Sequence, residues 1–323
     1  MFRTENEFVR WLQRLPQYPG RRVRLGIGDD AALVQVARGN ELILTTDMSL
    51  EDVHFRRRLH PPRSVGHRAL ARSLSDIAAM GGIPRYVLVS LAISRQTTRA
   101  WVEDFYRGML ALAKRYGVVV IGGDAAVVPG RTMIDVVVAG EIPRGKALRR
   151  AGAQPGDQLW VSGRLGLSAL GLRVLKSRAG RRATEAAEAI QVHLYPEPQC
   201  ALGRFLSERR LASALMDLSD GLSTDLARLC EASGVGARLW AERIPGPRID
   251  DPDESLRLAL HGGEDYQLLF TLPPSKASHI PSRFRGLPLH QIGEIQEPKG
   301  LLLVGRHGKL RPLEPAGWDH FQK

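Results

Sequence analysis

Aspartates recur along this chain in one local setting, where an apolar strand or helix meets a turn rich in glycine, serine or threonine. The instances are Asp29-Asp30 in Gly26-Ile27-Gly28-Asp29-Asp30-Ala31-Ala32, Asp47 after Thr45-Thr46, Asp124 after Gly122-Gly123, and Asp217-Leu218-Ser219-Asp220. Asp76 stands beside the apolar stripe Leu70, Leu74 and Ile77 of a helix. Any one of these serves as a helix cap or an Asx turn. Five clusters at element ends point instead to a shared task. Gathered carboxylates repel unless cations hold them, and an oxygen-only donor set suits Mg²⁺, which keeps waters and bridges to phosphates. Gly28, Gly122 and Gly123 add the matching backbone feature, because without a Cβ the chain comes close to a phosphate and aims its N–H groups at it. The implied chemistry is binding of a metal-nucleotide.

Other phosphate motifs are excluded. Gly140-Glu141-Ile142-Pro143-Arg144-Gly145-Lys146-Ala147 approaches a P-loop, but Ala147 replaces the hydroxyl that holds magnesium, and 149–156 is too rich in Gly and Pro for the required helix. No protein-kinase signature set is present, and 163–171 lacks the dinucleotide-binding spacing.

The elements that must position these residues follow from periodicity and punctuation. Thr4-Glu5-Asn6-Glu7 is a capping box before Phe8, Trp11, Leu12 and Leu15, predicting an amphipathic helix up to Pro16. Strands are predicted over 42–46, 86–93, 118–121 and 133–139, the first ending at Asp47 and the third running into Gly122-Gly123-Asp124. Helices are predicted over 64–80, stopped by Gly81-Gly82, and from Thr98 to Gly117. The segment 143–156, dense in Gly, Arg and Pro, reads as a linker, giving domains of 1–147 and 148–323. The second half alternates again: strand 159–162, helices within 168–211, strand 215–218, a helix from Asp220 to Ser233, and strands 237–241, 267–272 and 301–304. The fold class expected is α/β and α+β in two domains.

With 323 residues and 35.6 kDa the chain suffices for two domains with proper cores. A net charge of +12 invites a polyanion, yet only seven of the 46 basic residues are Lys, and the Arg are spread as pairs and triplets without a basic tail or aromatic interleaving. We expect no nucleic-acid partner, although the positive field would attract phosphorylated metabolites. Cys200 and Cys230 lack zinc spacing and are too few for a disulfide framework. No run reaches the roughly 18 apolar residues of a membrane span, and no apolar leader precedes the first helix, so the expectation is a cytoplasmic protein with no membrane partner.

Eight motifs in order resemble the thiamine-monophosphate kinase family, within the aminoimidazole-ribonucleotide-synthetase-like group. They are 26–32; Thr45-Thr46-Asp47-Met48 with Val53-His54-Phe55; Leu74-Ser75-Asp76-Ile77-Ala78-Ala79-Met80-Gly81; Gly122-Gly123-Asp124; Arg150-Ala151-Gly152-Ala153 with Pro155-Gly156-Asp157; 217–222; Gly262-Gly263-Glu264-Asp265-Tyr266; and Gly317-Trp318-Asp319-His320-Phe321. The resemblance runs nearly end to end. It implies an N-terminal α/β domain whose strands pair across a homodimer, a C-terminal α+β domain, and ATP-dependent phosphorylation of thiamine monophosphate in the cleft between them, with several Mg²⁺ ions. By position, Asp30, Thr45, Thr46, Asp47, Asp76, Asp124, Asp217 and Asp220 resemble metal ligands. Gly123, Asp124, Arg150 and Ser219 resemble nucleotide contacts, and His54, Glu264 and Trp318 resemble contacts to the thiamine moiety. Asp47, Asp124 and Asp220 are the implied catalytic set.

Two positions depart from the family pattern: Ala125-Ala126 stands where threonine is usual, and Asp52 where glycine is commoner. Among enzymes of the same group, a selenophosphate synthetase would carry a reactive Cys in the N-terminal glycine-rich loop, whereas the first Cys here is Cys200. A hydrogenase-maturation dehydratase would end in a cysteine, whereas this chain ends Gln322-Lys323. Aminoimidazole ribonucleotide synthetase remains the alternative, with Val53-His54-Phe55 and Gly317-Trp318 favouring the kinase.

Overall fold

The computed structural model describes residues 5–15, 22–25, 27, 32–177, 184–297, 299–305 and 308–318. Thr4 of the capping box, Gly28, Asp29, Asp30 and Asp319-His320-Phe321 lie outside the described residues. The chain divides into two compact units, one of Met1–Ile77 and Gly82–Gly145, the other of Ala78–Gly81 and Lys146–Lys323.

The first unit opens with α1 (Glu5–Arg14) and a short antiparallel pair, β1 (Val23–Leu25) and β2 (Leu33–Val34). Its main sheet has four strands in the order β3 (Asn40–Leu50), β6 (Met133–Pro143), β4 (Ile83–Ser94), β5 (Val119–Val128). β3 and β4 run antiparallel to β6, and β5 lies parallel to β4. The parallel step requires a crossover, supplied by α3 (Arg99–Tyr116). Its start is local chemistry: the Thr98 Oγ1 accepts the Trp101 N–H at 3.2 Å. Its end is a left-handed Gly117, φ 66°, as the sequence predicts.

Side chains alternate across this sheet. Val87, Val89 and Leu91 of β4 and Ile134, Val136 and Val138 of β6 are buried with α2 (Pro62–Ala79) and α3 residues such as Leu70, Leu74, Phe105 and Leu112. Ser73 of α2 donates to the Val136 carbonyl of β6 at 3.0 Å, which fixes helix against sheet. The opposite face is open and carries an apolar set: Leu42, Leu44 and Met48 of β3, Leu88 of β4 and Met133 of β6 are all exposed.

Two expectations are corrected here. β3 continues three residues beyond Asp47 to Leu50, and β5 passes through Gly123 and Asp124 to Val128. Both aspartates therefore sit within strands, because the partner strands β6 and β4 extend the hydrogen-bond ladder past the local turn signals.

The second unit holds a larger sheet in the order β14 (Leu310–Pro312), β13 (Gly300–Val304), β9 (Gly236–Trp240), β12 (Leu287–Gln296), β7 (Gln158–Ser162), β10 (Leu268–Leu272), β8 (Ala214–Asp217), with β11 (Arg283–Phe284) beside β12. All pairs are antiparallel except β13 with β9. Its core joins strand residues such as Leu159, Met216, Leu239 and Ile292 to Leu222, Leu226 and Leu229 of α7 (Leu222–Ser233). The helical stretch expected within 168–211 comprises α4 (Leu167–Lys176), α5 (Thr184–Leu194) and α6 (Cys200–Glu208). α8 (Pro252–His261) precedes the 262–266 segment. α7 starts at Leu222, so Asp220 belongs to the loop before it rather than to its first turn.

Candidate functional site

In the first unit the acidic residues collect around β3 and α2. The Thr45 hydroxyl donates to the Asp76 Oδ2. Asp47, two residues along the same face, has its Oδ1 3.5 Å from the Arg72 Nη2, one helical turn before Asp76. Burial pushes the Asp47 carboxyl up to about 6; Arg72 opposes the shift, and the negative Asp76 and Asp135 add to it.

Thr46 points to the opposite face, where its hydroxyl donates to the Asp135 Oδ1 at 2.7 Å. Asp135 pairs with Met48 on one side and Ser90 on the other, and Ser90 in turn pairs with Asp124, so Asp135 and Asp124 share one cross-strand row two strands apart. The Asp124 Oδ1 accepts the N–H of Ala125 at 2.8 Å. Gly123 beside it has φ +149°, and a Cβ there would lie 2.0 Å from the Val89 carbonyl oxygen, so only glycine fits. Asp135 escaped the sequence reading because it is a lone carboxylate inside an apolar strand; its signal was that polar interruption.

Among the described residues no three His, Cys, Asp or Glu side chains form a ready metal cage. Thr45, Asp47 and Asp76 come together, Thr46 faces away with Asp135, and Asp124 stands apart from both. Such a sparse, all-oxygen set fits a cation that keeps waters and takes only one or two carboxylates from the protein.

His54 follows β3, and its Nδ1 accepts the Leu50 N–H at 3.0 Å. With Ser49, Phe55, Val65, Arg68 and Arg72 it lines a small cavity beside Asp47. Asp52 has φ 70° and pairs with Arg131. A left-handed backbone accounts for glycine being the commoner residue at this position.

In the second unit three segments meet at the loop between β8 and α7. Asp217, 4% exposed, ends β8. The Asp225 carboxylate reaches back to accept the N–H groups of Asp220 and Gly221 at 3.0 and 3.1 Å, fixing the loop from inside. Burial, then the Asp220 charge, raises the Asp225 carboxyl to about 6. Arg228 bridges Asp220 and Asp225. On one side the Glu264 N–H donates to the Ser219 carbonyl at 2.7 Å and the Tyr266 N–H to the Leu218 carbonyl at 2.9 Å. Glu264 and Tyr266 both have positive φ, 67° and 51°, a strained conformation of the kind held at functional sites. On the other side the Trp318 N–H donates to the Asp220 carbonyl at 2.9 Å, leaving the indole exposed.

Between Glu264 and Tyr266, the buried Asp265 caps α4 by accepting the N–H groups of Gly166 and Ser168 at 2.6 and 3.1 Å. Its burial raises it to about 7. Arg150 is placed elsewhere: its carbonyl accepts the Ser233 hydroxyl at 3.1 Å, at the end of α7 away from Asp220. Twelve helical residues span roughly 18 Å, more than an arginine side chain reaches from that end of the helix. Cys200 and Cys230 are buried, each held protonated with a pKa pushed up to about 12 by burial, and offer no nucleophile. Among the described residues no helix is long and apolar enough to cross a membrane.

Comparison with known proteins gives a consistent result. Residues 28–142 match the AIR synthase related protein N-terminal domain and residues 154–305 its C-terminal domain. The chain is 36% identical to the thiamine-monophosphate kinase of Bacillus subtilis, covering 93% of this chain and 94% of that protein. It is 38% identical to that of Salmonella typhimurium, covering 93% and 92%. Among solved structures, the thiamine-monophosphate kinase of Stenotrophomonas maltophilia superposes with a TM-score of 0.79 at 33% identity, covering 94% of this chain and 95% of that one. A structure described as AaThiL complexed with AMPPCP and TMP superposes with a TM-score of 0.78 at 32% identity, covering 99% of both chains.

Proposed function

The chain belongs to the thiamine-monophosphate kinase family, and from that membership we infer that it phosphorylates thiamine monophosphate to thiamine diphosphate, with ATP as phosphoryl donor. The carrying observation is the likeness over 99% of the chain to a relative bound to AMPPCP and TMP. In the reaction an oxygen of the substrate phosphate forms a bond to the γ-phosphorus of ATP while the bond from that phosphorus to the β,γ-bridging oxygen breaks, releasing ADP. A phosphate monoester has a second pKa of about 6 and is already ionised at neutral pH, so no general base is needed. The demand is positioning of two polyanions, not proton transfer.

Asp47, Asp76 and Thr45, with Thr46, Asp124, Asp217 and Asp220, are the residues we assign to magnesium, and Asp30 by its motif alone. The support is chemical: the donors are all oxygen, and burial first, then the charges of Asp76 and Asp135, pushes the Asp47 carboxyl up to about 6. When bound, magnesium would neutralise the phosphate oxygens that this cluster otherwise repels. Gly123 lets the backbone approach phosphate, with Asp124 and Ser219 as further nucleotide contacts and Arg150 by its motif alone. His54, Glu264 and Trp318 are assigned to the thiamine moiety, a reading supported by Glu264 and Trp318 docking on adjacent residues, Ser219 and Asp220.

The open apolar face of Leu42, Leu44, Met48, Leu88 and Met133 supports a homodimer in which a second copy covers that sheet. A cytoplasmic location, without nucleic-acid or membrane partners, completes the proposal. The test is a coupled ADP-release assay with thiamine monophosphate, thiamine and aminoimidazole precursors compared side by side. Thiamine diphosphate and ADP in equal amounts, from thiamine monophosphate alone, is the expected result; turnover with an aminoimidazole precursor instead would reassign the chain.

A further inference from the structure

Two hydroxyls that the reaction above does not use fasten the C-terminal segment to the first turn of α7. Leu313 is buried in the core of the second unit, and its N–H donates to the Leu301 carbonyl of β13 at 2.9 Å, which fixes where the segment leaves the sheet. Three successive amides then bind α7 and the loop before it. The Ala316 N–H donates to the Ser223 Oγ at 3.2 Å, the Gly317 N–H to the Thr224 Oγ1 at 2.9 Å, and the Trp318 N–H to the Asp220 carbonyl at 2.9 Å. A segment held at one amide can turn about that bond. Three in a row fix the direction of the main chain, and with it the point from which the Trp318 side chain departs.

Ser223 is buried, and its hydroxyl reaches a third segment. Its Oγ lies 2.9 Å from the Nδ1 of His261, the last residue of α8. Because the Ala316 N–H already donates to this oxygen, the hydroxyl proton can go to Nδ1, which fits a neutral imidazole protonated on Nε2. Burial, then the charges of Arg257 and Arg311, lower the His261 pKa, in keeping with that state. His261 leads directly into Gly262-Gly263-Glu264, and a Cβ on Gly263 would lie 2.7 Å from the Ser219 carbonyl oxygen. The acidic loop is held independently of the C-terminal segment, since the Asp225 carboxylate accepts the N–H groups of Asp220 and Gly221. Loss of the two hydroxyls should therefore release the segment and spare the loop. We propose that Ser223 and Thr224 are positioning residues whose hydroxyls clip the C-terminal segment to α7 and so set the affinity for thiamine monophosphate through Trp318. This rests on the assignment of Trp318 as a substrate contact.

The test measures kcat, KM for thiamine monophosphate, KM for MgATP and the thermal midpoint for Trp318→Ala, for Ser223→Ala/Thr224→Val and for the three substitutions combined. Hydrogen exchange of the peptide containing Ala316 and Gly317 is followed in parallel by mass spectrometry. Ser223→Ala/Thr224→Val is expected to raise KM for thiamine monophosphate about tenfold and leave KM for MgATP within about twofold, with the combined variant no worse than Trp318→Ala alone, as for residues acting as one unit. The two amides should exchange at least about tenfold faster than in the wild type. Ser223→Ala/Thr224→Ser, which restores the acceptor for Gly317, should recover most of the loss. A rise in Trp318→Ala without one in folded Ser223→Ala/Thr224→Val, or unchanged exchange in the latter, overturns the clip and spares Trp318. An unchanged KM in Trp318→Ala overturns the assignment of Trp318 and the clip with it. A combined variant clearly worse than Trp318→Ala would mean that the hydroxyls act by another route, which also overturns the proposal. Should Ser223→Ala/Thr224→Val not fold, Thr224→Val alone exchanges one hydroxyl for a methyl, and an unchanged KM for thiamine monophosphate in that variant overturns the proposal.

Discussion

Trp318 donates its backbone N–H to the carbonyl oxygen of Asp220 at 2.9 Å, so the C-terminal aromatic is tied to the acidic loop through main chain. The residue is 53% exposed. Replacing Trp318 with Ala removes the ring and keeps the tether. Loss of a stacking partner worth about 1–1.5 kcal/mol corresponds to a roughly tenfold higher KM for thiamine monophosphate, with the thermal midpoint unchanged. Gly317→Ala attacks the tether itself, because a Cβ there would lie 2.1 Å from the Asp220 carbonyl oxygen. Steady-state kinetics should show the same rise in KM for Gly317→Ala although its indole is intact; a normal KM in both variants would remove Trp318 from the substrate site.

Asp47 lies where burial and two neighbouring carboxylates disfavour its charge, with a pKa raised to about 6. Above that pH the ionised group strains the folded protein, and Arg72 offsets only part of the strain. Asp47→Asn is therefore expected to raise the thermal midpoint measured in chelator. It should also abolish the increment that added Mg²⁺ gives the wild type, since a ligand that binds only the folded state stabilises it by RT ln(1 + [L]/Kd). Turnover should fall at least about a hundredfold. An Asp47→Asn protein that unfolds earlier than wild type in chelator would make the carboxylate structural.

Asp265 sets a pH dependence of stability. Its carboxyl is raised from 3.8 to about 7 in the folded state by burial, so between these values the folded chain holds a proton that the unfolded chain has released. Stability then falls as pH rises through that window and is level above it. Asp225, raised to about 6, acts in the same direction. His261 and His290, lowered from 6.5 mainly by burial, oppose it just below that value. Glu185 and Glu254, lowered from 4.5, lose their contribution only in more acidic buffer. The contribution of Asp265 is isolated by difference: thermal midpoints of Asp265→Asn minus wild type should grow more positive from pH 5 to pH 7. A flat difference would mean that the α4 cap stays ionised throughout.

The parts of this molecule legible in its sequence are those fixed by neighbours in the chain. Thr98 and Gly117 bound α3 as read, because a cap and a left-handed stop act within one turn. Asp217-Leu218 reads as the end of a strand, and β8 ends at Asp217, although the helix read from Asp220 starts only at Leu222. What escaped depends on partners distant in sequence. Asp47 and Asp124 read as strand ends, but β6 and β4 carry their ladders onward. β12 was missed because Pro288 and Gly293, with the register shift between Gln291 and Gly293, interrupt its alternation. Asp135 gave no motif at all; it becomes meaningful only when Thr46 is brought beside it by the fold.

The exposed sheet face makes the last prediction. Leu44 is 65% exposed and Met48 57%, in the middle of β3, while their inward neighbours Ile43, Thr45 and Asp47 face the helices. An aliphatic row of this kind on a regular sheet is a liability for a lone chain and an asset for a pair. In sedimentation velocity the wild type is expected at twice the 35.6 kDa chain mass. Leu44→Asp places a charge in the middle of the face, where a covering copy would have to desolvate it. It should sediment at the single-chain mass with its far-ultraviolet dichroism unchanged, because Leu44 contributes little to the core of its own chain. A wild type that remains at single-chain mass into the micromolar range would show that this face is not used for self-association.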